Sequence, residues 1–299
     1  MSVINTNVNS LIAQTAVNVN ARNLSRAMEE LSTGKRINGA KDDAAGLSIA
    51  QVMTSQIRGL NQAIRNANDG ISLLQTADGA MIEQSNMLQR MRELAVQASS
   101  DTVTTTQKSF LNNEFQALKT EIDRIGANTS WNDRKLLDGS GGLAGSITTS
   151  GQYAFQVGSN ATTITVDVPN ARTTDTTAAG ANGNTLIGSS PIYSDISGGA
   201  IKIDTAADAT TAISKVDLAL TAANTARSKI GSAINQLTYA ADNMSNIAMN
   251  TAASRSRIED TDYAQASTEL ARTQIIQQAA TAMLAQANQS PQSVLALLK

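Results

Sequence analysis

The sequence predicts a mainly α fold, in which long antiparallel coiled-coil or helical rods from the N- and C-terminal halves flank a small middle insertion containing a β-hairpin. Three observations carry this. Apolar residues recur at steps of three and four over residues 1–127 and 206–299. Aromatic residues make up only 3% of the 299 residues while Ala, Thr, Ser, Asn and Gln abound, a composition suited to thin helical seams rather than a thick core. Between 139 and 211 that periodicity gives way to Gly, Thr, Ser, Ala and Asn.

In chain order, Val17, Ala21, Leu24, Met28 and Leu31 are spaced as a coiled-coil seam. Gly34 is placed to cap that helix, and a linker through Asn38 and Gly39 follows. Asp42 and Asp43 sit where an N-cap and a first-turn acid would start a second helix. Ala50, Met53, Ile57, Leu60, Ile64, Ala67, Ile71 and Leu74 then alternate in steps of three and four, slip near Ala77, and resume through Met81, Leu88, Met91, Ala95 and Ala98. One helix over residues 43–100 would be about 85 Å long at 1.5 Å per residue. Gly46, Gly59, Gly70 and Gly79 inside it read as tolerated positions or as marks of close approach.

After polar Ser99–Thr106, a third helix reads from Leu111 through Phe115, Leu118, Ile122 and Ile125, folding back as a hairpin. Tyr153–Val157 and Thr163–Val168 alternate apolar and polar residues around Gly158-Ser159-Asn160, which predicts a β-hairpin. Residues 170–200 lack a pattern, and a loop-rich protrusion with one or two short strands is expected there. Helical spacing returns at Ile213, Val216 and Leu220 and is clearest from Ile230 to Ala248. A polar joint at Ser254–Asp262 precedes a terminal helix carrying Ala266, Leu270, Ile276, Ala280, Met283, Leu284 and Ala287.

Composition narrows the function. The chain has no His and no Cys, so the usual general base, the thiol nucleophile and the common zinc ligands are missing together, and neither enzyme activity nor a cofactor is expected. A net charge of −2 offers no basic excess for nucleic acid. Residues 1–21 lack the basic start, apolar run and cleavage site of a secretory signal, and the Gln-rich stretch Thr273–Leu298, interrupted by Pro291, is too polar to span a membrane. Glu29-Glu30 and Asp42-Asp43 are adjacent acids that point apart on a helix, which suits solvated faces and caps rather than acid/base chemistry. Gly34-Lys35-Arg36 lacks the rest of a phosphate-binding loop.

The mirrored order of elements implies that the two halves pair antiparallel, because each apolar stripe needs a partner. The outermost segments, 1–33 and 263–298, are thin and nearly uncharged, so ordering them costs about what their burial returns. They are expected to order inside an assembly, where buried ions would be costly and amides are not. Identical subunits joined head to tail without closure make a helical filament.

The run Leu31-Ser32-Thr33-Gly34-Lys35-Arg36-Ile37-Asn38-Gly39-Ala40-Lys41-Asp42-Asp43-Ala44-Ala45-Gly46-Leu47 resembles the most distinctive stretch of bacterial flagellins. Asn5–Gln14, Gln89–Gln97, Ser256–Asp260 and Ala271–Ala279 resemble the same family, and the likeness covers residues 1–168 and 206–299. One departure is visible: Trp131-Asn132-Asp133 stands where the family usually has Phe-Asn-Gly, and the bulkier ring and lost glycine are expected to alter the turn after the third helix. The resemblance implies a structural subunit that polymerises into the extracellular flagellar filament for swimming, exported unfolded through the flagellar secretion channel with an uncleaved N-terminal signal. Residues 1–43 and 255–299 would form the inner filament core and its linker. Residues 44–169 and 206–254 would form the outer helical domain, and 170–205 a short variable insertion.

Implied partners are copies of the chain, an export chaperone on the C-terminal helix, filament cap and hook-filament junction proteins, and a vertebrate Toll-like flagellin receptor, with no membrane or nucleic acid. Positions matching the receptor-recognition residues are Arg90, Leu94 and Glu114. Core assembly would fall to Leu11, Val17, Leu24, Met28, Leu31, Leu270, Ile276, Met283 and Leu284, with Gly34, Asp42 and Asp43 as linker and cap. A junction protein would show weaker terminal identity, a metalloprotease-bearing flagellin would need His, and a monomeric coiled-coil module would not polymerise. The triplets Asn128-Thr129-Ser130, Asn160-Ala161-Thr162 and Asn243-Met244-Ser245 match the glycosylation pattern as an Asn- and Thr-rich chain does by chance.

Overall fold

A computed structural model describes residues 7–139, 151–158, 160, 162–173, 193, 196 and 201–297, with side chains as far as residue 289. The described elements are α1 (Val8–Thr33), α2 (Ala44–Ser99), α3 (Thr105–Asn128), β1 (Ser130–Trp131), β2 (Arg134–Lys135), β3 (Gln152–Gln156), β4 (Thr163–Asp167), α4 (Ala206–Glu259) and α5 (Tyr263–Leu297). Helices dominate, as the periodicities predict; of the two small antiparallel strand pairs, β3–β4 is the hairpin that the alternation predicts, and β1–β2 has no such signal. The expectation for 170–200 falls mostly outside the described residues.

The chain divides into two units, one of residues 1–57 and 249–299 and one of residues 58–248. In the first, α1 packs along α5, and the chain around Gly34 is bound to the joint between α4 and α5. Gly34 adopts φ +70° as the C-cap of α1 and donates its N–H to the Glu30 carbonyl; a Cβ there would also sit 2.8 Å from the Tyr263 hydroxyl. Its own carbonyl accepts from the Thr261 N–H at 3.0 Å. The last carbonyls of α4 are served from the same linker, Glu259 by the Arg36 N–H at 2.7 Å and Ile258 by the Arg36 guanidinium at 2.7 Å. Because these carbonyls find partners, α4 runs on to Glu259, and the joint expected from Ser254 shrinks to Asp260–Asp262.

The start of α2 separates the two neighbouring acids. Asp43 Oδ1 accepts from the Gly46 N–H at 2.8 Å, as an N-cap does, while Asp42 Oδ2 accepts from the N–H groups of Asn38 and Gly39 and ties the turn before the helix. Asp42 is therefore a turn anchor and not part of the first helical turn.

In the second unit, the apolar stripes of α2, α3 and α4 share one core with the hairpin and with Tyr193, Ile196, Ile201 and Ile203. On α4 the buried stripe runs through Ala212, Val216, Ala219, Ala223, Ala226, Ile230, Ala233 and Leu237, and its alanines suit close helix approach. Each Leu or Ile buried completely in this core stabilises the fold by about 1.5–3 kcal/mol relative to exposure. Antiparallel register appears in the pairs Arg90–Glu114 between α2 and α3, and Arg92–Asp217 and Asp78–Arg227 between α2 and α4. α3 begins earlier than its apolar pattern indicates, because Thr104 and Gln107 form a reciprocal capping box inside the polar stretch.

β1 and β2 are joined by Asn132 and Asp133 at φ 49° and 61°, the two positive values of a type I′ turn, so the missing glycine leaves the turn in place with Asp in its left-handed position. Leu136 and Leu137 behind it are fully buried. β3 and β4 pair Tyr153 with Val166 and Phe155 with Ile164. The Phe155 ring lies against Gly70, where a Cβ would come within 2.8 Å of it, whereas Gly79 faces open space. One of the long helix's glycines thus marks close approach and another does not.

Candidate functional site

α1 and α5 carry the feature that needs explaining. As antiparallel neighbours they bury a narrow seam and leave most of their large apolar side chains uncovered. Leu11 is 54% exposed, Ile12 63% and Met28 56% on α1; Ile275 and Met283 are each 66% exposed on α5. Leu11, Ile12 and Met283 are among the residues lining two open grooves of about 650 and 710 Å³, one along Val8, Leu11, Ile12 and Val19 and one between Ile12, Ile276 and Met283. Two helices alone cannot close both faces of an apolar stripe, and a patch of this kind marks a surface awaiting a partner.

The seam differs from the one the spacing suggests. Its fully buried positions on α1 are Asn20 and Ala27, with Val17, Leu24 and Leu31 half-buried beside them, while Met28 lies outside. On α5, Leu270 and Leu284 are half-buried, and Ile276 and Met283 face outward. The shift follows from chemistry that an apolar count misses. Asn20 donates to the Thr273 carbonyl at 2.8 Å and to Gln277 Oε1 at 3.0 Å, and buried Thr273 returns its hydroxyl to the Glu269 carbonyl. An amide that satisfies its neighbours can occupy the centre of a seam.

No ionised group lies among the described residues 7–21 or 273–289 of these helices. No described helix is long and apolar enough to cross a membrane, and no cluster of acidic residues among the described ones is arranged to hold a metal.

A second surface lies on the α2–α3 hairpin. Arg90 Nε meets Glu114 Oε1 at 3.0 Å and Arg90 Nη1 meets Glu93 Oε2 at 3.0 Å, and the hydrogen bonds to Glu93 and Glu114 push the guanidinium further above its ordinary pKa. Arg90 and Glu114 are half-exposed, whereas Leu94, one turn along, is 1% exposed and points into the core. Arg90 and Glu114 are brought together; Leu94 lies beneath them and offers no side-chain surface.

Elsewhere on α2, Gln84 is fully buried with every polar atom engaged. Its Nε2 donates to the carbonyls of Ile122 and Ala171 at 3.0 and 2.9 Å, and its Oε1 accepts from the Tyr193 hydroxyl at 3.2 Å. Burial pushes the Tyr193 phenol well above its ordinary range, so it remains a donor. Neither Gln84 nor Tyr193 carries a sequence signal beyond being polar.

Residues 4–141 match the family model described as the bacterial flagellin N-terminal helical region, and residues 213–298 match the bacterial flagellin C-terminal helical region. The chain is 42% identical to flagellin of Halalkalibacterium halodurans, covering 99% of this chain and all of that one. It is 35% identical to flagellin B of Vibrio cholerae, covering 99% of both. Among solved structures, Bacillus cereus flagellin is 29% identical over 60% of this chain and 88% of that one, with a TM-score of 0.47.

Proposed function

The chain belongs to the bacterial flagellin family, and from that membership we propose how its ends and its outer face divide the work. It is a structural subunit of the extracellular flagellar filament, it polymerises with copies of itself, and it is not an enzyme.

Residues 1–43 and 255–299 form the filament-core part with its linker, and the uncovered apolar strips of α1 and α5 carry this reading. Leu11, Met28, Ile276 and Met283 bury against neighbouring subunits, while Val17, Leu24, Leu31, Leu270 and Leu284 close the seam within one subunit. Gly34, Asp42 and Asp43 set the linker between the core helices and α2. The terminal pair gains its full order in the polymer. The test is seeded growth: warmed protein given filament fragments should yield long fibres in negative stain, and persistence as monomer would contradict the reading.

Residues 44–169 and 206–254 form the outer helical part, with 170–205 as a variable insertion. A vertebrate Toll-like flagellin receptor reads the outer face through the Arg90–Glu114 pair, with Leu94 holding the surface from below. Monomer carrying Arg90→Ala and Glu114→Ala should lose receptor signalling without unfolding, and an unchanged response would remove the assignment. The chaperone takes the C-terminal helix during export, and the cap and junction proteins meet the filament ends through the same terminal strips.

A further inference from the structure

α5 runs through Pro291 to Leu297, although the proline is expected to interrupt it. Proline has no N–H, so the carbonyl four residues back, that of Ala287, loses its helical donor. In this structure the carbonyl has another donor: Asn7 Nδ2 reaches it at 2.8 Å. The other end of the same amide is also engaged, since Asn7 Oδ1 accepts from the Ser10 N–H at 3.1 Å and so caps the first turn of α1. Next to it, the Ser10 hydroxyl donates to Asn288 Oδ1 at 2.8 Å.

We propose that Pro291 is a register key for filament assembly: it opens one carbonyl on α5, and Asn7 is the specificity-determining residue that recognises it while capping α1. The seam needs such a key. Its neighbours along α5 are mostly Ala, Gln and Thr, and a stripe of small, similar residues distinguishes poorly between alternative helix registers. Asn20 on Thr273 and Gln277 supplies a second polar pin further along the pair, but Thr273 and Gln277 lie in an unbroken helix that offers similar carbonyls at every turn. Pro291 makes the Ala287 carbonyl different from the others.

The test is a four-member cycle on the full chain, read as the critical concentration for seeded growth, with growth of the unaltered chain as the control. Asn7→Ser keeps a cap oxygen but is too short to reach Ala287. Pro291→Ala restores an N–H to that carbonyl within α5. Asn7→Ser should raise the critical concentration about fivefold in the unaltered background, the value of one hydrogen bond. It should have no effect beyond about 1.5-fold when Pro291→Ala is already present, because the same bond is then absent at the start. Pro291→Ala alone should raise the critical concentration by about the same factor as Asn7→Ser alone, because the bond to Asn7 is lost there too. If Asn7→Ser stops growth outright, the cycle reads as rescue, and growth of the double variant supports the key. An equal effect of Asn7→Ser in both backgrounds, failure of the double variant to grow where Pro291→Ala grows, or growth of Pro291→Ala at the unaltered critical concentration would each overturn it.

Discussion

Gln84→Met keeps the length and volume of a fully buried side chain and removes only its polarity, so its cost reads out the amide's hydrogen bonds. Three partners lose a bond. Ile122 lies inside α3 and keeps its helical donor, so its carbonyl is little affected. The Ala171 carbonyl and the Tyr193 hydroxyl are stranded in the core. At about 1–3 kcal/mol for each unsatisfied buried group, the loss is about 2–6 kcal/mol. For a unit of this size, residues 58–248, that lowers the melting temperature by about 4–24 °C. The assay is thermal unfolding of monomer followed by far-ultraviolet circular dichroism. Adding Tyr193→Phe removes one of the two stranded groups, so the double variant should recover about half of the loss. A Gln84→Met melt within about 2 °C of the unaltered chain, or strictly additive single and double effects, would refute the reasoning.

Alkaline pH tests the same tyrosine. Its phenol is raised in the fold above the value of 10.0 that it takes in the open chain, so the stability from keeping it neutral is whole below about pH 10 and is lost as pH rises beyond; Tyr193→Phe should flatten the decline in melting temperature between pH 9 and 11. Gly126→Ala should destabilise by about 1–3 kcal/mol despite the better helix former, because the new Cβ would sit 2.5 Å from the Ala171 carbonyl oxygen; an upward shift in the melt would contradict that contact. Asp133→Gly should stabilise by about 0.5 kcal/mol by relieving the left-handed position of the type I′ turn, seen as a small rise in the same melt. Trypsin acting on free monomer should cut at Arg22 and Arg272 and spare a core of about residues 44–250, and equally rapid cutting inside that core would count against thin termini.

The long helices were legible because their period needs nothing beyond the local sequence. The stripe through Ile230, Leu237 and Met244 is regular enough to place α4, and the alternation at Tyr153–Val157 and Thr163–Val168 places the hairpin. The ends of elements were less legible where their signals come from outside. The carbonyls that close α4 are met by Arg36, more than 200 residues away in sequence, so the joint before α5 looked longer than it is. The seam of α1 keeps Val17, Leu24 and Leu31 but departs from the apolar spacing at Asn20, Ala27 and Met28 for a related reason. Counting apolar residues favours Met28 over Ala27 and passes over Asn20, whose place in the seam depends on acceptors on α5. In the same way, Arg90 and Glu114 are each ordinary surface charges until the hairpin register brings them together, and Leu94's burial depends on the packing beneath.

The central claim is that α1 and α5 find their stabilising contacts in neighbouring copies of the chain. Hydrogen exchange followed by mass spectrometry, comparing monomer with filament under identical conditions, measures this directly. Peptides from residues 8–33 and 263–289 should exchange rapidly in monomer and become strongly protected in filaments, while the buried stripes of α2 and α4 within residues 58–248 change little. Equal protection of the terminal peptides in both states, or protection gained mainly within 58–248, would contradict the account.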